Sequence, residues 1–308
     1  MNDVIEAIAL ILLATTPFLF ASLGELYAQR SGVLNLGVEG IMLMGAFSSV
    51  FVVSQKGLGV DPIIGLLVAI GVGGLMGLLT AIISVTLKAE QGISGIGMTL
   101  FGLGLSSLLF KVLADGVITA QGFRPIHFPF LSDIPYIGRA LFDQNIMAYI
   151  ALALVPVADW VLKKTTWGLQ IRAVGQNPAA ADSMGVNVTR VRYATVIFGG
   201  IMAGVAGAAM TIGWTPIFQE NMTAGRGFIA VALVYFGGWS PWKVLGGALL
   251  FSAANNLQIW AQIRNVPVAP NLLIMVPYVL TIFVLVFARQ RQLEEPAALT
   301  KPFQRGEN

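Results

Sequence analysis

Residues 62–87 read PIIGLLVAIGVGGLMGLLTAIISVTL, 26 residues without a single charge between Asp61 and Lys88. A helix rises about 1.5 Å per residue and the hydrocarbon layer of a bilayer is about 30 Å thick, so about 20 apolar residues cross it. This run is long enough to cross, and it is one of several. Comparable runs occupy 5–27, 93–109, 146–162, 193–212, 244–261 and 272–288. Two further runs are weaker: 37–53 carries Glu39, and 227–236 is short and bracketed by Arg226 and by Gly237-Gly238. The expected fold is all-α, a polytopic transmembrane helical bundle of about nine spans with at least one short or broken helix.

Composition agrees. Of the 308 residues 56% are hydrophobic and 11% charged, and mean hydropathy is +0.79. Soluble domains carry about 25% charged residues to cover their surface. The 35 glycines suit helices that pack through small residues, because lipid gives them no hydrophobic push together. Gly73 with Gly77, and Gly200 with Gly204, are pairs of this kind; Pro17, Pro156 and Pro277 fall inside spans. Residues 1–6 hold Asp3 and Glu6 but no Lys or Arg, so the first apolar run is expected to remain in the mature protein rather than act as a cleaved signal.

Basic residues set the expected orientation, since Lys and Arg favour cytoplasmic loops. The segment 163–192 carries five and the tail after 288 carries four. Both are therefore placed inside, which demands an even number of crossings between them. The runs at 193, 244 and 272 make three, so the 227 region has to supply a fourth, with part of 215–225 folded back into the membrane. Irregular backbone at that depth is tolerated only inside protein or beside a water-filled cavity, which makes this region a candidate for a transport path. The count gives an N-terminus outside and a C-terminus inside, with a transmembrane domain at 1–288 and a polar, Pro-containing tail at 289–308 expected to be disordered.

Several chemistries are excluded. With no cysteine there is neither disulfide nor thiolate. The one histidine, His127, sits in a Pro-rich loop without the companions a metal site needs, so no metal or cofactor is expected. No G-x-x-x-x-G-K-[ST] loop occurs, so the chain itself holds no nucleotide-phosphate cradle. The positive net charge belongs to membrane orientation rather than to nucleic acid.

The inside segment 163–192, KKTTWGLQIRAVGQNPAAADSMGVNVTRVR, has local structure written into it. Asn177 is an N-cap, Pro178 follows at the first helical position, Ala179–Met184 favour helix (Ala180 among them), and Gly185 suits a left-handed stop. A short capped helix is a rigid knob, suited to transmitting force to a partner. The runs GLQIRAVGQNPAAA at 168–181 and GVNV at 185–188 resemble the coupling loop of ABC importer permeases of the branched-chain amino acid, simple-sugar and nucleoside type. SGVLNLGVEGIMLMGA at 31–46, GRGFIAVALVYFGGWSP at 225–241 and LSDIPYIG at 131–138 are similar to other blocks of that family, so the resemblance covers roughly 16–288. The NLGVEG form at 35–40 is closest to the nucleoside permeases linked to basic-membrane-protein-type lipoproteins. The resemblance implies a second, unlike permease, separate ATP-binding-cassette subunits and an extracytoplasmic binding lipoprotein. It also implies that Arg172, Asn177, Pro178, Ala180 and Gly185 couple to the ATPase, with Arg172 a candidate to pair with an acidic group there.

Polar residues at membrane depth are the remaining candidates. Glu39 either lines the path or anchors the turn between the first two spans, where Arg30 could pair with it or with Glu25. Asn255, Gln258 and Gln262 recur at helical spacing, with Asn256 beside them; amides both donate and accept, as a purine edge or a sugar hydroxyl requires. Interhelical bonding is the alternative for that face. Arg226 is read as capping the C-terminal end of a broken helix. Two other functions compete: a simple-sugar importer of the same family, and an ion-coupled secondary transporter, which would need more intramembrane carboxylates than this chain has.

Overall fold

A computed structural model of the chain describes residues 2–113, 116–129, 132, 138–264, 275, 279 and 295–304. The expected run at 272–288, with Pro277, and most of 131–138 fall outside the described residues. In chain order the helices are α1 (Asn2–Arg30), α2 (Val38–Val53), α3 (Pro62–Ala81, prolonged by a π turn Ile82–Thr86), α4 (Gln91–Leu113), α5 (Gly138–Phe142) and α6 (Ile146–Lys164). There follow α7 (Thr166–Gln176), α8 (Pro178–Ser183), α9 (Val188–Ala208, prolonged by a π turn Ala209–Trp214), α10 (Arg226–Phe236) and α11 (Pro241–Ile263). Two short strands, β1 (Ile118–Thr119) and β2 (Ile217–Phe218), pair antiparallel.

Among the described residues five helical stretches are long and apolar enough to cross a membrane: Glu6–Arg30, Pro62–Thr86, Gln91–Leu113, Ile146–Lys164 and Val188–Trp214. Val38–Val53 and Arg226–Phe236 are apolar and shorter. The chain is thus a helical, multi-pass membrane protein. Helix starts follow from local chemistry. Asp61 accepts from the Ile63 amide at 2.8 Å with Pro62 at the first helical position, Asn145 accepts from Ala148 at 3.0 Å, and Asn187 from Arg190 at 2.9 Å. Helices α1 and α6 run on through Pro17 and Pro156.

Helix α9 is the centre of the bundle, packed against α1, α2 and α3. The two glycine pairs meet there: a Cβ on Gly200 would stand 2.5 Å from the Gly73 carbonyl oxygen and 2.5 Å from Gly77 Cα. Backbones approach this closely only where both helices lack side chains, which is how membrane helices gain dispersion energy.

The strand pair joins the loop after α4 to the loop after α9 on one face. The opposite face carries α7, α8 and residues 295–304. There the structure corrects the expectation of a disordered tail. Ala298 and Leu299 are buried, and the Ala298 amide donates to the Gly175 carbonyl at 2.9 Å. Arg192, only 2% exposed, donates from Nη1 to the Lys301 carbonyl at 3.0 Å and from Nε to the Ser31 carbonyl at 3.2 Å. Pro and polar residues obscured a strap that ties α7, α9 and the end of α1 together. Leu299→Asp places a charge where Leu299 packs on the core, and about 2–4 kcal/mol is expected to be lost from strap docking. A cysteine replacing Ala298 should then react with a thiol reagent more than tenfold faster than in the parent, while the melting of the bundle is retained. Unchanged reactivity would mean that the strap is not held by Leu299.

Candidate translocation and coupling sites

The short helix α10 begins on a buried carboxylate. Glu39, 3% exposed, lies in the first turn of α2. Its Oε1 accepts from the Thr223 hydroxyl at 2.5 Å and the Gly225 amide at 2.7 Å, and its Oε2 accepts from the Gly227 amide at 2.6 Å. These amides belong to the open N-terminal end of α10, where the helix dipole favours an anion. Gly225, at φ +85°, turns the chain into the helix. Gly227 lets it dock, since a Cβ there would be 2.5 Å from Glu39 Cα.

Helix α10 has 11 residues and is therefore roughly 16 Å long, about half the apolar thickness of a bilayer. Its far end is held at the C-terminal end of α1: Trp239 donates from Nε1 to Gln29 at 2.8 Å, and Arg30 donates to the Trp239 carbonyl at 3.0 and 3.2 Å. The expected ion pair of Arg30 with Glu25 or Glu39 is therefore corrected. Glu39 is held by Thr223 and backbone amides, and Glu25 accepts from Gln29 at 2.9 Å and from the Asn35 amide at 3.0 Å. Arg226 is likewise not at a helix C-terminus. It is the first residue of α10 and donates to the Met222 and Thr223 carbonyls at 3.0 and 3.3 Å, closing the preceding turn. Sequence reasoning did not name Thr223, Gly225 and Gly227 as partners of Glu39. The available signal was the Gly-Arg-Gly run immediately before an apolar stretch, which leaves bare amides at a helix start.

The amide face lies on α11. Asn255, Asn256, Gln258 and Gln262 are all half-buried, and Asn256 donates from Nδ2 to the Ser252 carbonyl at 2.9 Å. The inner side of the same helix meets α1 through Phe251, whose ring stands 5.2 Å from Phe18 in an edge contact.

The knob on the strap face has the expected local form. Thr165 caps α7 by accepting from the Gly168 amide at 3.1 Å. Asn177 caps α8 by accepting from Ala180 at 3.0 Å, with Pro178 at the first helical position. Gly185 has φ +84° and its amide donates to Asp182 at 2.9 Å. Arg172 is half-buried and folds back on its own helix, Nε donating to the Gly168 carbonyl at 3.3 Å. One exposed apolar residue was not anticipated: Met184, at the end of α8, is 83% exposed.

The chain is a multi-pass helical bundle with a carboxylate-capped short helix beside its core and a capped knob outside it. The family model for the permease component of branched-chain amino acid transport systems matches residues 7–285, and the chain belongs to this family. Three relatives match over more than nine-tenths of both lengths. The chain is 38% identical to a putative glucose ABC transporter permease protein of Haloferax volcanii, covering 95% of each. It is 34% identical to the guanosine ABC transporter permease protein NupQ of Bacillus subtilis, covering 92% of this chain and 93% of that protein. It is 36% identical to the nucleoside ABC transporter permease protein NupC of Lactococcus lactis, covering 92% of each. No solved structure matches.

Proposed function

We propose that this chain is the nucleoside-importing permease of an ABC transporter. It would work beside a second, unlike permease, with separate ATP-binding-cassette subunits bound at the α7–α8 knob and a binding lipoprotein on the β1–β2 face. The observation that carries the reading is the full-length likeness to two nucleoside permeases at 34% and 36% identity. The amide face of α11, Asn255 to Gln262, supplies donors and acceptors of the kind a base edge or ribose hydroxyl needs, and a weak site suffices where an external protein does the selecting. Glu39 has its oxygens satisfied by α10, so its contribution is to hold the half-helix rather than to meet substrate. The likeness to a glucose permease favours a sugar as the second reading. Uptake by the intact system separates the two. Deleting this chain should lower labelled guanosine uptake more than tenfold and leave glucose uptake unchanged; the converse would assign it to sugars.

Nine crossings fit this reading. On this reading eight of them would be α1, α2, α3, α4, α6, α9, the 215–225 segment with α10, and α11, and the ninth the apolar run 272–288 of the sequence. Half of the 18 Lys and Arg residues fall in 163–192 and after 288, and the described parts of these segments, α7, α8 and 295–304, lie together on the strap face. That face is therefore the cytoplasmic one. On this cysteine-free background, Ser183→Cys and Thr300→Cys should be shielded from an impermeant thiol reagent in intact cells, whereas Lys56→Cys should be labelled. Labelling of Ser183→Cys or Thr300→Cys from outside would reverse the topology.

A further inference from the structure

We propose that the crevice between α1, α6, α7 and α9 holds one acyl chain of an anionic phospholipid from the leaflet on the strap face. The inference requires only that the chain lies in a membrane and is independent of what it carries.

The crevice has a volume of about 370 Å³ and is walled by Leu23, Val157, Val161, Trp167, Phe198 and Met202, among others. A space of this size suits a small ligand or a single chain. The two hydroxyls in its wall are already engaged. Tyr27 donates to the Ala158 carbonyl at 3.0 Å, and Thr195 bonds Ser31 at 2.8 Å. A nucleoside or a sugar would leave its own polar groups unpaired there, and water gains too little from an apolar wall. A hydrocarbon chain loses nothing. The crevice also opens sideways, since Val157 and Trp167 are each 51% exposed. In a bilayer that side meets lipid.

The charge at its mouth selects the headgroup. On α6, Lys164 lies three residues beyond the lining Val161 and seven beyond Val157, on the same helical face. On α9, Arg190 precedes the lining residues Ala194 and Phe198 by four and eight, again on one face. Both basic side chains are exposed. The neighbouring Lys163 is taken by Asp159 at 2.8 Å, whereas among the described residues neither Lys164 nor Arg190 is in an ion pair. Trp167, itself in the wall and half exposed, is of the residue type that settles at the membrane–water level. A phosphate between Lys164 and Arg190, with its chain lying along Val161, Val157 and Met202, satisfies both halves. Each basic residue near an anionic membrane surface is worth roughly fivefold in binding.

Native mass spectrometry of the purified full chain, titrated with phosphatidylglycerol and with phosphatidylcholine, tests this. The parent should retain one phosphatidylglycerol at least tenfold better than phosphatidylcholine. Lys164→Gln with Arg190→Gln should bring the two lipids level. Val157→Trp should remove both, with thermal melting as the check on folding; if that variant does not fold, the double charge variant decides. Parent-like preference in the double variant would overturn the proposal. So would a disulfide between two permease copies through Val157→Cys in the membrane, which would mark the crevice as a protein interface.

Discussion

Glu39→Ala is expected to cost the bundle about 3–5 kcal/mol and to abolish transport. The carboxylate is the common acceptor for a hydroxyl and two backbone amides, and Thr223 is itself fully buried. Hydrogen bonds to a charged group are worth about 1.5–3 kcal/mol each, and a buried donor left without a partner costs about 1–3 kcal/mol. No water replaces the acceptor where lipid is the solvent. Alanine removes every one of these bonds at once and leaves the N-terminal amides of α10 bare. Glu39→Gln keeps the shape but turns one acceptor into a donor facing other donors, so an intermediate loss is expected. Gly227→Ala should resemble Glu39→Ala through a different route, by pushing α10 off α2. Melting in detergent, with yield of folded protein and uptake in cells, reads all three. A Glu39→Ala protein that melts with the parent would show that Glu39 does not hold α10.

The second large effect concerns coupling. Gly185→Val is expected to leave insertion and melting close to the parent and to lose transport together with stimulation of the partner ATPase. The reason is conformational. At φ +84° a β-branched residue is strained by about 1–3 kcal/mol. Nothing lies within 4 Å of a Cβ at this position, so the substitution causes no clash. The strain falls on α8, six residues that are too short to be stable alone. The helix end and the exposed Met184 beside it should shift, while spans packed elsewhere keep their places. Gly185→Asn is the control, because Asn tolerates the left-handed region and should retain most transport. ATPase pull-down and substrate-stimulated hydrolysis separate failed docking from failed coupling. Full transport by Gly185→Val would make the segment a tether and contradict the coupling role; loss of expression would instead mark it as a folding element, leaving Gly185→Asn to read coupling.

What the sequence determined by itself was everything that depends on neighbours along the chain. Apolar run length announced the five helices long enough to cross a membrane, because helix rise and bilayer thickness are constants. Asn177, Pro178 and Gly185 announced α8, because caps and left-handed stops act within a few residues. The surplus of Lys and Arg in two segments announced that they share a face, and the strap hydrogen bonds between 295–301 and α7 and α9 join them there. Tertiary structure alone decided the partners of charged groups. Glu39 and Gly227 are 188 positions apart, and Arg192 reaches Lys301 across 109. A carboxylate in an apolar layer must find donors, but neither its spacing nor its type says whether they are a neighbouring guanidinium or the open end of a distant half-helix. The tail went unread for the same reason. Polar composition and two prolines describe a segment's solubility, whereas its order depends on whether the folded bundle offers a buried arginine and a carbonyl to receive it.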